Sequence, residues 1–236
     1  MAIYHLSVKT VARSKGQSVT SAAAYRACCK LRDQRTGEQH DCSRLTGLVS
    51  ADIVLPEGAP AWASDREKLW NAAEQAEVRR NATVGREFEI ALPAELDESG
   101  RRRLALDFAR ELVDRHGFAS DVCIRQPNSA GDERNHYAHI LCSTRRLGPS
   151  GFGEKTRELD DLKTGEVVYW RARFAELQNL FFKEPDLAEL VDHRTLEAQG
   201  IDREPDGHIG TAATHYERRT GRLSRRRIEL AEGVLP

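Results

Sequence analysis

Three places in this sequence carry side chains that could do chemistry. Tyr25 stands in the run GQSVTSAAAYR (residues 16–26), close behind an N-terminal alternating segment. By itself, a tyrosine in an alanine-rich helix is a packing residue with a hydrogen-bonded hydroxyl. The second place is NHYAHILCSTR, residues 135–145. A strand presents residues i and i+2 to one face, so Tyr137 and His139 share a face, and His136 points the other way unless a bulge intervenes. On spacing alone this is a weak metal signature, and two unrelated strand histidines are the plainer reading. The third is Glu87 in REFEIAL, residues 86–92, whose plainer reading is a solvated sheet face.

The elements that must position these groups follow from periodicity. Residues 2–10 alternate as a strand, with Ile3, His5 and Ser7 opposite Tyr4, Leu6 and Val8. A capped helix follows over 21–31. A second strand spans 48–55 and stops at Pro56. A helix over 64–80 opens on a capping-box pattern, Ser64-Asp65-Arg66-Glu67. In 86–92, Phe88, Ile90 and Leu92 share a face with Arg86, while Glu87, Glu89 and Ala91 form the other. A long helix over 97–116 starts at Asp97, strands follow over 121–126 and 136–144, and helices over 166–183 and 186–199, the last ended by Gly200. The order predicts an α+β fold: a largely antiparallel central sheet flanked by helices, with a C-terminal helical extension. Residues 32–46 and 146–165 read as polar, turn-rich connections.

Composition narrows the class. The 236 residues carry a formal net charge of −1, so no global basic field points to nucleic acid. Five cysteines, an odd number without a CxxC pair, predict a reduced cytoplasmic setting and no zinc ribbon. The start is too polar for a signal peptide, and no apolar run reaches membrane-spanning length.

Taken together and in order, IYHLSVKTVARSKGQSVTSAAAYR, VGREFEIALP, NHYAHILCSTR, RARFAELQN and VDHRTLEAQGID resemble the MobA/MobL (MobQ-type) relaxases of plasmid mobilisation, a branch of the HUH endonucleases. The likeness covers about residues 2–210. It implies a nicking domain over 1–210 and a separate basic tail over 211–236. It implies that Tyr25 is the nucleophile, cutting one strand of DNA at a plasmid transfer origin to leave a 5′-phosphotyrosyl link and a free 3′-hydroxyl. Resealing is the reverse attack. A phenol with a pKa of about 10 is a poor nucleophile at neutral pH, so the phosphate must be polarised by a cation. Glu87 matches the family's strand glutamate, supporting the metal shell or the tyrosine. Single-stranded origin DNA, accessory mobilisation proteins and a coupling protein are the implied partners, with no membrane.

The resemblance also implies a divalent ion, Mg, Mn or similar, held by three histidines. The matching positions here are Arg125, Tyr137 and His139, so one imidazole of the three remains. Three readings stay open. His136 enters through a bulge, helped by Gln126, Asn128 or Asp132. Or the Arg125 guanidinium replaces the cation and grips the scissile phosphate, with Tyr137 as a further contact, and no metal is needed. Or the chain is a cleavage-impaired DNA-binding or regulatory relative. If the strand faces coincide, Arg125, Tyr137 and His139 cluster beneath Tyr25. For DNA contact the candidates are Arg134, Arg145 and Arg146 beside the site, Trp170 with Arg171 and Arg173, and Arg218, Arg222 and Arg225 of the tail. The plainer reading of the tail is a solvated helix ion-paired through Glu217 and Glu229.

Overall fold

The computed structural model describes residues 4–127, 134–185, 187–188, 190–202 and 211–231. Asn128 and Asp132 lie outside the described residues. The chain divides into two compact units, Met1–His193 and Arg194–Pro236. The division expected after residue 210 falls beside the undescribed residues 203–210.

The first unit is built on a six-stranded antiparallel sheet. Its strands are β1 (Leu6–Ala12), β4 (Leu48–Val54), β5 (Thr83–Leu92), β6 (Phe118–Arg125), β7 (His136–Gly148) and β8 (Gly151–Lys155). The order is β1-β5-β7-β6-β4, with β8 paired to β7. Two short strands, β2 (Lys30–Arg32) and β3 (Gln39–Asp41), form a separate hairpin. β3 and β8 occupy stretches that read as connections in sequence, whereas Lys30 and Leu31 of β2 fall in the expected helix over 21–31. The hairpin and β8 are too short and polar to show a period.

Four helices cover the sheet: α1 (Val19–Arg26), α2 (Arg66–Gln75), α3 (Glu98–His116) and α4 (Glu166–Lys183). The alternation of β5 divides the core. Phe88, Ile90 and Leu92 pack with Ala138, Ile140 and Val122 against Phe108 of α3 and Phe174 of α4. The opposite face receives α1 and α2 through Val19, Ala23, Ala24, Leu69 and Trp70, which meet Val84 and Leu141. Arg86 stays in phase with the first face, as its position predicts. It is fully buried there, with Nη2 donating to Asp160 at 2.5 Å and Nη1 to Thr156 at 3.2 Å.

Local chemistry sets the helix ends. Ser18 and Asp97 accept from the backbone N–H of Ser21 and Gly100 at the starts of α1 and α3. α2 is capped by Asp65 and is shorter than the expected 64–80. α1 ends at Arg26 rather than running to Leu31, because Cys28 adopts the left-handed conformation (φ 49°) that swings the chain into β2. The expected helix over 186–199 is absent from the described residues. Instead, the Asn179 side chain bonds both the N–H and the C=O of Val191, at 2.9 and 3.0 Å, taking the groups a helix would use. A turn closes over 196–201, with Gly200 at φ +73°.

The second unit contains α5 (Thr211–Thr220) and α6 (Arg225–Ala231). Glu217 joins them, accepting from Ser224 and Arg227. Among the described residues, no helix is long and apolar enough to cross a membrane.

Candidate active site

Strand pairing brings the candidate residues into neighbouring rows on the face under α1. Glu89 lies opposite His139, and His139 opposite Cys123. One row along, Ala91 pairs with Tyr137 and Tyr137 with Arg125. One row the other way, Glu87 pairs with Leu141. Side chains two apart share a face, so Glu87, Glu89, Tyr137, His139 and Arg125 all point toward α1.

The helix comes close because its underside is small. Ala23 and Ala24 are buried, and Val19 sits on Gly85, where an added Cβ would lie 2.8 Å from Val19 Cγ2. Glu74 of α2 fixes the start of α1, accepting from the Val19 N–H at 2.7 Å and from Arg13 at 2.8 Å. α2 is itself held to β6, where Asp121 accepts from Arg66 and from the Trp70 indole.

Tyr25 then stands at the last turn, 54% exposed. A groove of about 410 Å³ opens beside it, lined among others by Gln17, Ser21, Arg26, Arg35 and His40. Beneath it, Arg26 grips both oxygens of Glu87, at 2.5 and 2.6 Å, and Nδ1 of His139 lies 2.6 Å from Glu87 Oε1. Glu87 is 3% exposed, so the solvated-face reading is wrong: α1 roofs it over. Burial alone would raise its pKa, but the bonds from His139 and Arg26 outweigh this and hold it at about 2. A neutral imidazole donating from Nδ1 keeps a lone pair on Nε2. The Tyr137 and His139 rings meet edge-on, with centroids 5.2 Å apart. Burial pushes the Tyr137 phenol up against the opposing pull of Arg125. The Arg125 guanidinium lies 5.3 Å from the Tyr25 ring centroid, and its Nη2 donates to the Tyr25 carbonyl at 2.7 Å.

His136 does not join this group. It lies in phase with Ala138 and Ile140, opposite Leu92, in a pocket with Pro93 and Arg134. Burial and nearby Arg101 lower its pKa. The bulge that would have brought it round does not form, since β7 pairs in register with β5 from its first residue.

Ligand atoms of Glu87, Glu89 and His139 lie within 4.8 Å of one another, a spacing that could hold a cation. Their surroundings do not fit a divalent centre. Arg26 occupies both Glu87 oxygens, and Lys9 pairs with Glu89 at 2.7 Å. One imidazole remains, and a third cation, Arg125, stands in the next row. The carboxylates are already balanced, so a dication would have to displace two ion pairs.

The arginines proposed for DNA contact divide. Arg145 pairs with Glu77 and Arg146 with Glu158. Arg171 is exposed on α4, which packs on the other sheet face. Trp170 is 1% exposed, and its indole donates to His116 Nε2 at 2.9 Å, so it offers no stacking surface. Arg173 pairs with Glu111 and Glu176. In the tail, Arg222 is exposed, Arg225 pairs with Glu229 and Arg227 with Glu217. The side chain of Arg218 lies outside the described residues. Sequence reasoning missed Arg26, Lys9 and Glu89 as members of the site. Glu89 was visible as the second acid on the Glu87 face, but Arg26 differs in no way from any other exposed helix arginine until α1 is docked.

The sequence matches the MobA/MobL family over residues 17–219. It is 39% identical to a mobilization protein MobL of Acidithiobacillus ferridurans, covering 96% of this chain and 67% of that protein. It is 31% identical to a probable mobilization protein MobA of Bifidobacterium longum (94% and 45% covered), and equally to a conjugal transfer protein TraA of Agrobacterium fabrum (98% and 24%). The chain thus spans two thirds of the first relative and less than half of the other two. Its fold is similar, at TM-score 0.74 and 29% identity, to a solved structure described as the molecular basis of vancomycin resistance transfer in Staphylococcus aureus, over 82% of this chain and all of that one. With a family match that takes in both Tyr25 and His139, and a relative 39% identical, this chain belongs to the MobA/MobL family.

Proposed function

We propose that this chain is the nicking domain of a plasmid-mobilisation relaxase, working in the cytoplasm. Tyr25 attacks one phosphodiester of single-stranded DNA at a transfer origin, forms a 5′-phosphotyrosyl link, and releases a 3′-hydroxyl that later reverses the reaction. The observation that carries this reading is the exposed Tyr25 phenol, standing over the face that holds Arg125, Tyr137, His139 and Glu87. Glu87 acts through its neighbours, orienting Arg26 and the His139 ring. The strand enters by the groove beside α1, and the 211–236 tail contributes phosphate contacts through its exposed arginines. Accessory mobilisation proteins and a coupling protein are the partners this reading carries with it.

The test is covalent capture. Labelled single strands tiling the DNA that flanks the gene are incubated with the chain and run on a denaturing gel. A shifted, protein-linked band is expected, and Tyr25→Phe should abolish it. No band with any divalent ion or with none would end the reading.

A second reading, a DNA-binding relative that no longer cuts, is favoured by one observation: a single imidazole where the family resemblance implies three. Tight oligonucleotide binding without any adduct, unchanged by Tyr25→Phe, is its signature.

A further inference from the structure

Among the described residues, Arg125 is a cation without a counter-ion. It is 9% exposed, and its Nε has no hydrogen-bond partner. Nη2 donates to the Tyr25 carbonyl at 2.7 Å and lies 3.3 Å from Cys28 Sγ, while Nη1 reaches the Thr46 carbonyl at 3.5 Å. These contacts cap the end of α1, where a positive charge is favourable, but carbonyl oxygens do not neutralise it. Among the described residues no carboxylate pairs with it. Glu87 is taken by Arg26 and His139, and Glu89 by Lys9. The buried Arg86, by contrast, has Asp160, and Arg13 has Glu74. Burying an unpaired charge is costly, and an anion held beside the exposed Tyr25 phenol would relieve that cost.

We propose that Arg125 is the phosphate-binding cation of the Tyr25 site and that the domain cleaves without a divalent ion. This rests on the reading of Tyr25 as nucleophile. The guanidinium fork suits the two non-bridging oxygens of a phosphodiester. It stands at a position where the family resemblance implies an imidazole, one row from His139. As the Tyr25 oxygen bonds to phosphorus, the bond to the 3′ oxygen breaks. The phenol proton passes to water, and water returns one to the 3′ oxygen. The charge that builds on the non-bridging oxygens falls on Arg125 rather than on a metal.

The experiment uses the whole chain after exhaustive treatment with chelator. Adduct with the tiled oligonucleotides should form in chelator at the rate seen with added Mg or Mn. Arg125→Gln should slow it by about a hundredfold, and Arg125→Lys, which keeps the charge but not the fork, should fall between. Because these variants could loosen α1, a second arm leaves the protein untouched. Once the cleaved position is mapped, a methylphosphonate there removes the phosphate charge and should weaken binding by about tenfold. Adduct that appears only with metal, or methylphosphonate binding equal to phosphate, overturns the proposal while leaving the nuclease reading intact. No adduct under any condition ends the nuclease reading, and inorganic phosphate then decides. Phosphate bound by the chelated wild type and lost in Arg125→Gln keeps the anion site, and equal binding to both removes it.

Discussion

Acid should dismantle the Glu87 ion pair in a way that one substitution isolates. The buried carboxylate accepts from His139 and from two nitrogens of Arg26. Burial acts to raise its pKa, and those partners reverse the effect, leaving it at about 2 against an ordinary 4.5. The unfolded chain therefore takes up this proton before the folded one does. The stabilisation is complete above the unfolded value and is lost as pH falls through the folded one. At about 1.4 kcal/mol per tenfold difference, the lowering amounts to about 3 kcal/mol. Glu87→Gln removes the titrating group and leaves Arg26, at the end of α1, without its counter-ion. At neutral pH the variant should be less stable than wild type by about 3 kcal/mol. Other acids titrate alike in both proteins, so the difference between them should shrink toward zero by about pH 2. Urea midpoints at a series of pH values give that difference directly. Wild-type and variant stabilities that fall in parallel below about pH 5 would refute the reasoning.

Three further outcomes follow from packing and charge. Asp160→Ala strands the fully buried Arg86 and should cost about 3 kcal/mol in a urea titration, although Asp160 itself is half exposed. Gly85→Ala places a methyl against Val19, so it should lower stability by about 1–3 kcal/mol and, by shifting α1, slow adduct formation in the capture assay. Replacing exposed Arg222 and Arg226 together by Gln should reduce the salt slope of oligonucleotide binding by about 1.4 and leave adduct chemistry unchanged in strong excess of protein.

Much of the fold was legible because its period is clean. The alternation of REFEIAL separated Phe88 and Ile90 from Glu87 and Glu89, and the docked sheet keeps that division. Strand parity also put Tyr137 and His139 on one face and His136 on the other. What parity could not convey was who covers each face. Glu87 read as solvated because α1, which buries it, is brought in by Gly85 and Glu74 from distant segments. Trp170 and Arg171 read as neighbours of the site, but α4 docks on the opposite face, where Trp170 completes the Phe108 cluster. The 186–199 stretch had helical spacing, yet Asn179 supplies a competing partner for its backbone. Arg125 was recognisable as a replacement. That no carboxylate among the described residues pairs with it emerges only when Arg26 and Lys9 claim Glu87 and Glu89.

The central claim is that the Tyr25 oxygen, and no other group, joins DNA. Trypsin should release it within the peptide Gly16–Arg26 and Tyr137 within Asn135–Arg145. Mass spectrometry of nuclease-trimmed adduct should find the nucleotide on the first peptide, with fragment ions placing it on Tyr25. Nucleotide on the second peptide, or an adduct that persists in Tyr25→Phe, would contradict the account.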